Sequence, residues 1–121
     1  MEKVKPELAG GFRDYLPEDM IPRNKMLETI KQVFERFGFL PMDTPALERA
    51  EIITEDKTDF LIYRAGLQGA QDMALRYDLT VPLARVVASH PNELNLPLKR
   101  YQFGRVWRGE KQQTGKGRWR E

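Results

Sequence analysis

The stretch RVWRGEKQQTGKGRWRE, residues 105–121, concentrates arginine at a spacing that can do chemistry. Side chains in an extended strand alternate between two faces, so Arg108 and Glu110 share one face, with Gly104 leaving open space beside them. After a loop containing Gly115 and Gly117 the alternation resumes, and Arg118 and Arg120 share a face from which Trp119 points away. If the two segments form an antiparallel hairpin, up to three guanidiniums converge on one side of it. A guanidinium is planar, permanently charged and bidentate toward phosphate, so such a cluster suits a polyphosphate better than lysines would. A carboxylate there would repel phosphate, so Glu110 suits a different role, either accepting from an exocyclic amine or holding an arginine in place. An adenine nucleotide offers both features. Two other readings stand beside this one. A charged hairpin can be a solvated face whose ion pairs contribute about 0–1 kcal/mol each. Arginine interleaved with Trp107 and Trp119 can also contact the phosphates of a nucleic acid and stack on its bases.

A second constellation lies in ALRYDLTVPLA. Asp78 and Thr80, separated by Leu79, precede a helix, so a carboxylate and a hydroxyl can project together toward an ammonium group. Turn geometry and helix capping explain the same two residues without a ligand. Arg76 is a candidate partner for Asp78. The single histidine, His90 in SHPNEL, falls at a helix end before Pro91, where capping or solvent contact suits it better than catalysis. No Ser-His-Asp set or metal-ligand cluster can be assembled around it, which argues against hydrolase chemistry and a zinc site.

The elements that must position these groups follow from periodicity and punctuation. Gly10, Gly11 and Pro17 mark the first twenty residues as an irregular lead-in. Met26, Leu27, Ile30, Val33, Phe34 and Phe37 recur at helical spacing, with Pro22 near the start and Gly38 past the end, and predict a helix over roughly Pro22 to Phe37. Pro41 and Pro45 limit the next segment to a short, interrupted strand around Phe39 to Thr44. Residues 51–58 are acidic and suit a loop or helical turn. Phe60 to Tyr63 and Met73 to Arg76 flank AGLQGAQD, a glycine-containing connection that fits a hairpin. Thr80, with a hydroxyl placed to cap, opens a helix from about Val81 to Ser89, with Pro82 in its first turn. The segment LKRYQFGRVWRGE alternates as a strand, with Tyr101, Phe103, Arg105 and Trp107 on one face.

A chain of 121 residues with 40% hydrophobic and 31% charged residues suits a single folded unit rather than disorder. The net charge of +2 hides a basic C-terminal end and an acidic stretch over residues 43–60. The absence of cysteine excludes disulfides, thiolate nucleophiles and cysteine metal sites. No apolar leader opens the chain, and no window approaches the ~18 apolar residues needed to span a bilayer, so a cytoplasmic location and no membrane partner are expected.

In this order the pieces resemble the N-terminal part of the catalytic domain of histidyl-tRNA synthetase, a class II aminoacyl-tRNA synthetase, over nearly the whole chain. GFRDYLPED resembles the opening segment of the family, and the first helix with GFLPMDTPALE resembles its first class motif. LRYDLTVPLAR resembles the histidine-recognition segment, and KRYQFGRVWRGE with GRWRE the second class motif. The resemblance implies an α+β fold, an antiparallel sheet flanked by helices, with residues 1–121 forming one incomplete, truncated domain. It implies that Asp78 and Thr80 would hold the α-amino group of histidine, with Leu79 lining that site. Arg108 would bind the α-phosphate of ATP and the histidine carboxylate. Glu110 would meet the adenine amine, Arg118 and Arg120 would contact the nucleotide or support its site, and Pro45 would lie at a homodimer interface. KQQTGK would approach the acceptor end of tRNA, although this loop is longer than in many family members. Histidine, ATP, Mg2+ accompanying the ATP, and tRNA are the implied partners. The family pattern continues beyond Glu121, so the 121 residues alone would be inactive. Adenylate formation needs alignment and charge neutralisation rather than a covalent nucleophile, which fits a chain lacking a usable Cys or His. A regulatory relative serving ATP phosphoribosyltransferase in histidine biosynthesis would not need Arg108, Glu110, Arg118 and Arg120. A small RNA-binding module would show salt-sensitive RNA binding.

Overall fold

The computed structural model of the chain describes residues 3–54, 62–67 and 72–109, and the backbone of residues 119–120. Helix α1 spans Pro17–Arg36, five residues earlier than the periodicity predicts. Pro17 opens the helix rather than punctuating a lead-in, because a first-turn proline loses no helical hydrogen bond and its fixed φ suits the start. Glu18 and Asp19 place negative charge at the positive end of the helix dipole. Pro22 therefore lies inside the helix, one amide donor short. The predicted stop is observed: Gly38 adopts φ 83°, its N–H donates to Glu35 O at 3.0 Å, and the Phe39 N–H donates to Phe34 O at 3.0 Å. This pair of bonds is a Schellman motif, which needs a left-handed residue after the helix.

Beyond the turn, β1 (Leu40–Pro41) is as short as its proline dictates, and it pairs in parallel with β5 (Arg100–Tyr101). Strand β2 (Leu47–Arg49) runs directly into α2 (Ala50–Ile53). Strands β3 (Arg64–Ala65) and β4 (Met73–Leu75) pair antiparallel, and a Leu75 N–H to Tyr63 O bond of 2.9 Å extends the ladder toward the predicted hairpin arm. Phe60 lies outside the described residues. The sheet order is β2-β4-β3, with β4 central. Its inner residue Ala74 is fully buried and packs with Ala50, Ile53 and Ile62, with Tyr77 against the cluster. Helix α3 spans Thr80–Ser89 and buries Pro82, as the tolerance of proline in a first turn allows.

The ribbon predicted as one strand from residue 98 is broken. It forms β5 and then β6 (Val106–Trp107), which pairs antiparallel with β7 (Trp119–Arg120). The break has a physical cause, since the chain changes partners across Gly104. Before it, Leu40 N–H and Met42 N–H donate to Lys99 O and Tyr101 O; after it, Trp107 N–H donates to Arg76 O at 3.0 Å. Tyr101 and Phe103 pack on α1 through Phe34, which stacks on Tyr101 with centroids 5.4 Å apart and planes within 6°. Among the described residues the pairing is antiparallel except for β1 with β5, and no helix is long and apolar enough to cross a membrane.

Candidate functional site

The exit of β4 carries the residues singled out from the sequence. Arg76 is buried, 6% exposed, and its planar fork is filled from two sides. Its Nε donates to Arg105 O at 2.8 Å and its Nη1 to Thr44 O at 2.9 Å, with longer contacts from Nη1 to Pro45 O and Thr44 Oγ1 at 3.4 and 3.5 Å. Its own N–H donates to Ala46 O at 3.0 Å. The pairing of Arg76 with Asp78 is not among these contacts: Arg76 Nε and Nη1 go to main-chain carbonyls, and the Asp78 carboxylate turns to the start of α3. Thr44 Oγ1 also accepts from Gln102 Nε2 at 2.8 Å, which joins the segment before β2 to the residue after β5.

Asp78 turns the other way and serves α3. Its Oδ1 accepts from the N–H groups of Thr80 and Val81 at 3.2 and 3.1 Å. Such a carboxylate satisfies orphan donors of the first turn and favours the positive end of the helix. The capping oxygen is thus that of Asp78 and not the Thr80 hydroxyl, which makes no capping bond. Both main-chain donors are bonded to Oδ1, and among the described residues Oδ2 takes no partner. Thr80 is exposed and Asp78 half-buried, so the carboxylate and hydroxyl expected to meet an ammonium stand beside each other at the start of α3.

Arg108 reaches this turn from the strand side. Its Nε donates to Tyr77 O at 3.1 Å, one residue before Asp78. That bond uses the Nε edge and fixes the plane of the guanidinium. Leu79 closes the space between the two segments: a Cβ at residue 104 would lie 3.6 Å from Leu79 Cδ2. The structure therefore brings together Asp78, Leu79, Thr80 and Arg108, which lie up to thirty residues apart in the chain. The antiparallel register sets Val106 opposite Arg120 and Trp107 opposite Trp119, so the returning strand lies beside the one that leads into Arg108. Glu110 and Arg118 lie outside the described residues, as does the loop KQQTGK. Pro45 is exposed, and its carbonyl joins the Arg76 shell.

Two features carry no sign in the sequence. Glu48, predicted only as part of an acidic stretch, is buried in β2 and accepts from Arg85 Nε at 2.8–2.9 Å, which ties α3 to the sheet. Arg76 looks like any strand-end arginine until its acceptors are known; they are carbonyls, which every residue type possesses. His90 holds Glu93 through Nδ1 at 2.8 Å on the surface.

A short helix-and-strand unit that sets an arginine against a capped Asp-x-Thr turn has the α+β architecture of a class II aminoacyl-tRNA synthetase. Residues 11–121 match the sequence profile of the family described as Histidyl-tRNA synthetase, and the chain belongs to that family. The histidine–tRNA ligase of Treponema denticola is 48% identical over 118 residues, covering 95% of this chain and 26% of the relative. That of Rhodopirellula baltica is 49% identical over 95% of this chain and 27% of its own length. This chain thus spans about a quarter of the curated relatives it matches. Among solved structures, histidyl-tRNA synthetase from Nostoc sp. PCC 7120 superposes with a TM-score of 0.82 at 35% identity, covering 95% of this chain and 26% of that one. A Bacillus halodurans protein described as an ATP phosphoribosyltransferase regulatory subunit/histidyl-tRNA synthetase superposes with a TM-score of 0.79 at 26% identity, over 98% of this chain and 31% of that one.

Proposed function

We propose that this chain is the N-terminal part of the catalytic domain of a histidine–tRNA ligase, which joins histidine to tRNA at the expense of ATP. The observation that carries the proposal is the bond from Arg108 Nε to the carbonyl of Tyr77, which sets a guanidinium beside the Asp78–Thr80 turn. Asp78 Oδ2 and the Thr80 hydroxyl then receive the α-ammonium of histidine, and Leu79 lines the same pocket. The two Nη edges of Arg108 face the histidine carboxylate and the α-phosphate of ATP. The carboxylate oxygen attacks the α-phosphorus, the bond to the bridging oxygen breaks, and pyrophosphate leaves with that electron pair, giving histidyl-adenylate. Arg108 neutralises charge on both reactants as they approach, so alignment and preorganised positive charge lower the barrier. Glu110 receives the adenine amine, and Arg118 and Arg120 contact the nucleotide from the returning strand. The ribose hydroxyl at the acceptor end of tRNA next attacks the adenylate carbonyl and releases AMP.

Mg2+ enters with the ATP phosphates as part of the substrate. The exposed ring of Pro45, with exposed Leu40 and Leu47 nearby in the chain, supports a homodimer interface on that side. Soluble substrates of this kind argue for an enzyme of the cytoplasm. The regulatory reading, to which the description of the Bacillus halodurans neighbour also points, is disfavoured by the phosphate-gripping arginines, which a subunit without adenylate chemistry would not need. The test is histidine-dependent exchange of labelled pyrophosphate into ATP by the full-length protein. Exchange that appears with histidine and not with other amino acids is expected; an intact, folded protein that binds histidine without exchange would support the regulatory reading instead.

A further inference from the structure

Three consecutive residues at the exit of β4 hold three different parts of the chain. The Arg76 guanidinium binds the carbonyls of Thr44 and Arg105, the Tyr77 carbonyl receives Arg108, and the Asp78 carboxylate caps α3. The donors of a guanidinium lie in one plane at fixed angles, so a single side chain bonded to both carbonyls fixes the distance between the segment before β2 and the strand that carries Arg108. A lysine ammonium has no such fork. The Trp107 N–H to Arg76 O bond fastens the same strand from the main chain, only one residue from Arg108. Gly104 completes the arrangement. A Cβ there would lie 2.5 Å from Arg76 Nη2 and 3.2 Å from its Cζ, and the glycine has no left-handed φ, so it is space and not backbone conformation that the position requires.

We infer that Arg76 is a positioning residue that sets Arg108 against the Asp78 turn, and that Gly104 is kept bare to admit its guanidinium. The inference rests on the histidine-activating role proposed for the site and adds two residues to it. Neither residue touches substrate; both act on the separation between the ammonium-binding and phosphate-binding groups. The test uses the full-length protein with Gly104→Ala, Arg76→Met and the double variant, each checked for folding by circular dichroism and assayed by pyrophosphate exchange at varied histidine. Gly104→Ala is expected to raise the histidine KM and lower kcat together, with kcat/KM down about 100-fold, the scale of a 1 Å misplacement of reacting groups. In the Arg76→Met background the added methyl meets no guanidinium, so Gly104→Ala should cost nothing further. A purely structural role would lower the melting temperature and leave the histidine KM where it was. Wild-type kinetics in Gly104→Ala, or its full loss repeated on top of Arg76→Met, would overturn the inference. Should Arg76→Met not fold, Gly104→Ala alone decides, because it leaves the charge in place. A wild type without exchange overturns the function; an active wild type with an indifferent Gly104→Ala overturns only the positioning.

Discussion

The two ends of the terminal ribbon are held by opposite means. At β5, Tyr101 and Phe103 meet Phe34 and one another through one stacked and two edge-on ring contacts with centroids 5.4–6.1 Å apart, and Phe39 closes on Phe34 at 5.8 Å. Lys31 and Lys99 lie over the rings of Phe103 and Phe39. At β6, a buried guanidinium and a set of carbonyls do the holding. Aromatic contacts contribute about 0.5–1.5 kcal/mol per pair beyond area and tolerate small rotations. A buried charged donor does not: deprived of an acceptor it carries its full desolvation cost, which is why it holds its neighbours to one geometry. The ribbon is thus fastened by a forgiving contact where it meets α1 and by an exacting one where it meets the candidate site. The aromatic end fixes where the strand lies, and the polar end fixes how Arg108 meets the turn at Tyr77.

Substitutions that act on one end and spare the other sharpen this contrast. The largest effect is expected at the polar end, where Arg108→Gln keeps a donor but removes the charge and the fork. Exchange by the full-length protein should fall about 1000-fold, the upper range for deleting one preorganised electrostatic donor, with the melting temperature little changed. A smaller loss, carried in both histidine KM and kcat, is expected at Gly104. The smallest effect belongs to the aromatic end. Tyr101 donates its hydroxyl proton to Glu35 Oε1 at 2.7 Å; this bond, with burial and the negative charges of Glu35 and Glu28, raises its pKa above the usual tyrosine value of about 10. The raised value means that the folded protein favours the neutral hydroxyl. The stabilisation is therefore fully present below the pKa of the unfolded tyrosine and is lost as pH rises through the folded value. Tyr101→Phe should lower thermal stability slightly at neutral pH, with the difference from wild type shrinking above pH ~10 and exchange activity unchanged. A loss of histidine-dependent exchange in Tyr101→Phe would break the division between the two ends.

The legibility of the chain divides along the same line. Apolar residues at helical spacing and the glycine after Phe37 locate the end of α1, since the left-handed φ at Gly38 is a requirement that the residue type announces. Its start is harder, because Pro17 and Pro22 both suit a first turn and only the acidic pair Glu18 and Asp19 argues for the earlier one. Alternation in the ribbon puts Tyr101 and Phe103 on the side that meets Phe34, yet it carries the same face on through Arg105 and Trp107, and nothing in it shows that the strand stops and changes partners across Gly104. At the site, residue type brings Asp78, Thr80 and Arg108 forward as candidates. It gives the cap of α3 to the Thr80 hydroxyl, but the helix already begins at Thr80 and Pro82 has no N–H to offer that hydroxyl, so the first-turn donors fall to the carboxylate two residues earlier. The anchoring of Arg76 is silent because its acceptors are main-chain oxygens, and the need for Gly104 is silent because it is a need for space.

In the proposed function the Asp78 turn and Arg108 form a single site for histidine and the α-phosphate. A crystal structure of the full-length protein with histidine and a non-hydrolysable ATP analogue tests it most directly. The expected complex has the ammonium against Asp78 and Thr80, the Arg108 fork between carboxylate and α-phosphate, and Arg76 still bonded to the Thr44 and Arg105 carbonyls. Histidine bound away from Asp78, or Arg108 turned from the phosphate, would contradict it.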